Sequence, residues 1–152
     1  MDKARFVIFI TVLFLPVFAF TQSVENEKKA IQKVIIDGYI EGVFLKGDTT
    51  LIKANWHDAC DIVYFEPKNK TLMKGSAVKH FAGYFERKPG PYNENITYAF
   101  KDIQITGYAA VATVDIYNKD KSKQIYTDYL CLYKFNDGWK IVTKIYYGYP
   151  RE

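Results

Sequence analysis

The stretch Gln124–Tyr147, QIYTDYLCLYKFNDGWKIVTKIYY, decides the fold. Two arms rich in β-branched and aromatic residues flank Asn136-Asp137-Gly138, and Asp-Gly supplies the positive backbone angles of a tight hairpin. A three-residue loop sets Phe135 opposite Trp139, Tyr133 opposite Ile141, Cys131 opposite Thr143 and Tyr129 opposite Ile145. A two-residue loop changes these partners. In the first register the odd-numbered face is almost wholly apolar or aromatic. The even face mixes Leu130, Leu132 and Val142 with Asp128, Lys134, Lys140 and Lys144. An apolar sheet face needs a cover, and the first half of the chain supplies helices for it.

Upstream of the hairpin the chain reads as strand. Ile96, Tyr98 and Phe100 alternate in one parity, Ile103 and Ile105 in the other, and such a switch marks a β-bulge that bends a sheet. Gly107 turns the chain into a strand over Tyr108–Tyr117, and the charged turn Asn118–Lys123 leads into the hairpin. Earlier still, Ile31, Val34, Ile35, Gly38, Tyr39, Gly42 and Val43 follow helical spacing within Glu25–Lys46. Gly38 and Gly42 lie on the buried stripe, where small residues let the helix approach the sheet closely or leave room for a ligand. Asp48 caps a second helix that carries Leu51, Ile52 and Trp56 and runs out near His57-Asp58-Ala59. Asp61–Glu66 and Thr71–Lys74 read as a small hairpin. Ser76 caps a third helix with Val78, Phe81, Ala82 and Phe85 on its stripe, ended by Lys88-Pro89-Gly90-Pro91. The expected fold class is α+β: three N-terminal helices packed on a strongly curved antiparallel sheet, a cone whose partly filled interior leaves a pocket.

The amino terminus is a different kind of sequence. Lys3 and Arg5 precede the apolar run FVIFITVLFLPVFAF, which is short for a membrane span, and a small-residue site follows at Ala19–Thr21. Residues 1–22 are therefore expected to be a secretory signal peptide, and 23–152 one domain, secreted or periplasmic, with no membrane partner after cleavage. The formal net charge of +4 comes from scattered lysines, with no basic block for nucleic acid. Cys60 and Cys131 lack framework spacing and read as buried free thiols rather than a bridge; two cysteines and two histidines set far apart have no zinc spacing, so no metal site is expected.

Several motifs give the chain a family likeness: Tyr39-Ile40-Glu41-Gly42, Gly47-Asp48, Trp56-His57-Asp58-Ala59, Thr106-Gly107-Tyr108-Ala109-Ala110-Val111, Tyr126-Thr127-Asp128-Tyr129 and Asp137-Gly138-Trp139-Lys140-Ile141-Val142 with Lys144. Together they resemble the nuclear transport factor 2-like superfamily, which includes ketosteroid isomerase-like and SnoaL-like groups, and within it the branch named "putative lumazine-binding". The likeness spans the whole chain after the leader and implies a cystatin-like cone. For function it implies less, because this fold hosts ligand carriers, cofactor-free enzymes and assembly modules.

Candidate chemistry follows from residue types. His57 beside Asp58 is the best polar pair for proton transfer, since histidine titrates near neutrality; its plainer role is to cap a helix end. His80 lies beside an apolar stripe, facing solvent. Asp128 and Lys144 are diagonal neighbours on adjacent strands. Asp128 is the second candidate base, but a lysine alongside a carboxylate favours its charged form and weakens it as a base, so an ion pair or ligand anchor fits better. Parity puts this pair on the less apolar face, outside the cone, whereas family position puts it in the site. Tyr39, Trp56, Tyr64, Tyr84, Tyr129 and Tyr133 are wall candidates, and the phenols among them could hydrogen-bond a ligand carbonyl. The candidate ligand-binding set is thus Tyr39, Trp56, His57, Tyr64, Asp128 and Lys144, with the pocket mouth expected near His57.

Three functions fit these features. The first is binding of a small apolar or aromatic molecule, with no cofactor. The second is a cofactor-free acid/base isomerase, dehydratase or cyclase. The third is a homodimerisation module using an outer sheet face that carries Leu130, Leu132 and Val142 between lysines. Binding ranks first, because no base, oxyanion donor and orienting partner stand at recognisable spacing.

Overall fold

Asp48 and Ser76 fix where two of the helices begin. In a computed structural model that describes residues 23–150, the Asp48 carboxylate accepts hydrogen bonds from the backbone N–H groups of Thr50 and Leu51 at the start of helix α2 (Thr49–Asn55). The Ser76 hydroxyl accepts one from Lys79 at the start of α3 (Ala77–Arg87). The leader expected over residues 1–22 lies outside the described residues.

Helix α1 occupies residues 23–45, and its last ten residues, Ile36–Leu45, are wound as a π-helix. Lys46 donates its N–H to the carbonyl of Glu41 at 2.9 Å, five residues back, which closes that wider winding. Tyr39, Ile40, Val43 and Phe44 are all buried by it. Gly38 earns its place by close approach: a Cβ there would collide with Asn55 and press on the ring of Trp56 at 3.2 Å. The Trp56 indole N–H instead donates to the Gly38 carbonyl at 3.0 Å.

Six strands form one curved, unclosed sheet: β1 (Trp56–Glu66), β2 (Thr71–Ser76), β3 (Ile96–Thr106), β4 (Ala109–Asn118), β5 (Gln124–Phe135) and β6 (Gly138–Gly148), in the order β2-β1-β6-β5-β4-β3. The class is α+β, as expected, with two amendments. β1 lies parallel to β6, so the sheet is mixed; every other neighbouring pair is antiparallel. The second amendment is at Trp56, which opens β1 rather than lying on α2. β3 carries the expected bulge, with its register shifting between Phe100 and Asp102.

The hairpin that decides the fold differs in its turn. Phe135 pairs with Gly138, Lys134 with Trp139 and Tyr133 with Lys140, the register of a two-residue loop. A bulge between Cys131 and Leu132 on one strand, opposite Ile141 and Thr143 on the other, then restores Cys131↔Thr143 and Tyr129↔Ile145. The expected partners are therefore right beyond the bulge and wrong near the turn.

The covered face is also the opposite of the one expected. Asp128, Leu130 and Leu132 of β5 point into the core, while Tyr129, Tyr133 and Phe135 are exposed. On β6 the bulge changes parity, so Trp139 and Ile141 are buried before it and Lys144 after it. Leu130 and Leu132 are thus core residues, not an outer patch. Glu27 near the start of α1 ties the helix to this hairpin, accepting from the Trp139 indole at 2.7 Å and the Lys134 ammonium at 2.6 Å. Cys60 is buried, Cys131 half-buried, and both are free thiols. Among the described residues no helix is long and apolar enough to cross a membrane.

Candidate functional site

The inward parity of β5 and β6 places a charged pair at the centre of the molecule. Lys144 Nζ lies 2.7 Å from Asp128 Oδ1, and their side chains are 7% and 0% exposed. The Tyr39 hydroxyl on α1 donates to the other carboxylate oxygen, Oδ2, at 2.9 Å. Oδ1 has the Lys144 ammonium as its near neighbour and no other hydrogen-bond partner among the described residues. Burial holds the Tyr39 phenol well above its ordinary range, and the Asp128 carboxylate adds to this. Lys144 is moved the other way. Loss of hydration lowers its pKa, against the opposing pull of Asp128.

Aromatic rings complete the surroundings of the ammonium. Lys144 Nζ sits 4.0 Å from the centroid of Tyr146, 4.9 Å from Tyr39 and 6.0 Å from Tyr126. Trp56 and Phe44 hold Tyr39 edge-on from behind, at centroid distances of 5.7 and 5.1 Å.

These groups form one wall of a cavity of about 300 Å³. α1 contributes Tyr39, Val43 and Phe44; β1 contributes Ile62 and Tyr64; β5 and β6 contribute Tyr126, Lys144 and Tyr146. Phe81 of α3 and Tyr92 close the apolar lining. Met73, Lys74, Gly75 and His80 also line it and are exposed, so they mark the rim. Among the described residues, the rings of seven tyrosines and phenylalanines line the space, and no carboxylate does. Lys74 is already engaged at the rim, 2.8 Å from Asp61.

A second depression of about 470 Å³ lies beside the first and shares Tyr92 and Tyr126 with it. Its amides serve their own turn: Asn118 bonds Ser122 and Lys123, and Gln124 bonds Thr127. Chemistry therefore favours the first cavity, though it is the smaller.

The structure brings together four of the six residues singled out in the sequence. Tyr39, Tyr64 and Lys144 line the cavity, and Asp128 lies directly behind Lys144 and Tyr39. Trp56 is buried support for Tyr39 rather than wall. His57 does not line the cavity: its ring stacks on Phe135 with centroids 4.9 Å apart, and its Nδ1 accepts from the Ala59 N–H. The rim consequently lies at β2 and α3, not at the end of α2. His80, exposed as expected, stands at that rim. Sequence reasoning missed Phe44, Tyr126 and Tyr146. Tyr126 shares the parity of Asp128, and Tyr146 that of Lys144, so the correct inward face would have found both.

Residues 26–147 match the model of the family described as "Putative lumazine-binding". Three solved structures resemble the chain, each titled a nuclear transport factor 2-like protein of unknown function. The one from Shewanella baltica is 24% identical with a TM-score of 0.67, over 83% of this chain and 96% of that one. The one from Silicibacter pomeroyi is 16% identical with a TM-score of 0.65, over 83% and 98%. The one from Methylobacillus flagellatus is 20% identical with a TM-score of 0.63, over 82% and 94%. No curated protein matches the chain. The chain thus belongs to the putative lumazine-binding family and has the nuclear transport factor 2-like fold.

Proposed function

We propose that the cavity binds a small, flat, aromatic molecule that places a hydrogen-bond acceptor on Lys144. One observation carries this reading: seven rings line a cavity of about 300 Å³ whose deepest charged group is a buried ammonium. That volume is at the lower end of the usual range for small-molecule sites, roughly 300–1,000 Å³, and suits a one- or two-ring compound. An ammonium has three N–H donors and Asp128 occupies one side of it, so another N–H can serve a ligand carbonyl. A lumazine ring, flat and bearing carbonyls, has this chemistry, and the family's name makes it the first compound to try. Titrating lumazine and naphthalene separately, followed by calorimetry, tests the reading. Lumazine should bind more tightly; equal or absent binding of both contradicts it.

Binding is favoured over acid/base catalysis by the same geometry. Asp128 is screened from the cavity by Lys144 and Tyr39, and His57 lies elsewhere.

A second reading concerns the outer sheet face. Val111, Tyr129, Tyr133, Ile145 and Tyr147, on three neighbouring strands, are each more than two-fifths exposed. A contiguous apolar patch of this kind suits association with a second copy. Sedimentation should show a dimer that Tyr129→Lys dissociates; a wild-type monomer removes this reading. Export rests on the leader-like residues 1–22, and intact mass from the native host should show their loss.

A further inference from the structure

We propose that Lys144 is a carbonyl-condensing amine, which forms an imine with a small aromatic aldehyde or ketone held in the cavity. This rests on the reading that the cavity admits small ring molecules, and adds a covalent step to it.

Three features of the geometry support the step. The Lys144 ammonium lines the cavity although the residue is almost wholly buried, so a guest meets it away from bulk water. Asp128 Oδ1 is 2.7 Å away and has no other hydrogen-bond partner among the described residues, while Oδ2 is taken by Tyr39. Oδ1 is therefore the oxygen positioned to carry a proton. The third feature is that the nearby Cys60 thiol does not compete, since burial pushes it up to about 12.

The groups facing Lys144 act in opposite senses. Asp128 on β5, Cys60 on β1 and the rings of Tyr39, Tyr126 and Tyr146 favour the ammonium, whereas removal from water favours the free amine, and the last effect is the largest. A buried lysine of this kind is the usual form of a Schiff-base nucleophile.

The step balances without oxidant or reductant. Asp128 takes a proton from the ammonium, and the freed lone pair forms the N–C bond while the carbonyl π pair moves to oxygen. The nitrogen, now carrying two protons, passes one to that oxygen, leaving a neutral carbinolamine. Asp128, behind the lysine, returns its proton to the nitrogen, which hands one to the hydroxyl; the nitrogen lone pair then forms C=N as the C–O bond breaks and water leaves. The protonated imine then occupies the place of the ammonium beside the Asp128 carboxylate.

The test uses benzaldehyde as probe with the purified protein. Borohydride delivers hydride to the imine carbon and fixes a benzyl group on nitrogen, which peptide mapping by mass spectrometry locates. The expected result is labelling at Lys144 well ahead of the exposed lysines. Lys144→Arg should lose the label, and Asp128→Asn should slow it. Benzyl alcohol, which cannot condense, should bind and protect Lys144. If benzyl alcohol binds in the cavity but the label spreads over exposed lysines, the condensation is overturned and the pocket stands. If benzyl alcohol does not bind and Lys144 stays unlabelled, both are overturned. The wild-type map decides even if a variant fails to fold.

Discussion

Asp128 and Lys144 lie diagonally across neighbouring antiparallel strands, with Leu130 opposite Lys144 and Tyr146 opposite Asp128, and their charged atoms meet at 2.7 Å inside the core. Each ion loses several kcal/mol of hydration there, which the partner chiefly offsets, with help from the Tyr39 hydroxyl and the surrounding rings. Removing one partner should therefore be worse than removing both. Asp128→Leu or Lys144→Met alone should cost about 3–5 kcal/mol in a urea melt, and the double variant should recover most of it. Additive losses would show that the two charges do not depend on each other.

Trp139 is buried where α1 meets the hairpin, and its indole N–H is held by Glu27. Trp139→Ala should cost about 3–5 kcal/mol, as for other large-to-small core changes. Trp139→Phe keeps much of the volume but loses the hydrogen bond, so part of that cost, about 1 kcal/mol, belongs to the bond. A loss below about 1 kcal/mol for the alanine variant, typical of surface sites, would place this face outside the core.

How far the sequence reaches is clearest at this hairpin. Its two arms, the caps at Asp48 and Ser76, the β3 bulge and the diagonal Asp128–Lys144 contact were all legible from residue type and spacing. The inward face was not. A bulge between Ile141 and Thr143 reverses the parity of β6, and no residue there announces it, so Trp139 and Lys144 can both be buried although one is odd and the other even. The preference for an aromatic-rich inner face failed for a related reason. Tyr129 and Tyr133 contribute to an exposed apolar patch, while the site's charge is buried. The parallel pairing of β1 with β6 depends on where the chain returns after three helices and a hairpin, which local patterns do not encode. His57 misled because α2 stops at Asn55 and the chain is already strand at Trp56.

Glu27 gives a pH signature. Its hydrogen bond from Lys134, then that from Trp139, holds its pKa below the ordinary 4.5. A carboxyl depressed in the folded state binds protons more readily when unfolded, so its stabilisation is present above 4.5 and lost as pH falls from there through the folded value. Urea melts across that window should show the wild type losing stability more steeply than Glu27→Gln. Parallel curves would mean that the carboxylate contributes nothing through its charge.

Lys144 should discriminate between ligands rather than merely hold the fold. Lys144→Met is expected to weaken a carbonyl-bearing ring by about 1.5–3 kcal/mol, the range for hydrogen bonds to charged groups, and to leave an apolar ring of the same size almost unaffected. Calorimetric titration of both rings into both proteins reads this directly, and an equal loss for the two rings would point to a collapsed cavity instead.

The most direct measurement is a crystal structure of the protein with lumazine. The ring should lie among Phe44, Tyr64 and Tyr146, with a carbonyl oxygen about 2.7–3.2 Å from Lys144 Nζ. A ring found in the depression beside Asn118 and Tyr149, or on the outer sheet face, with the Lys144 cavity empty, would contradict the proposed site.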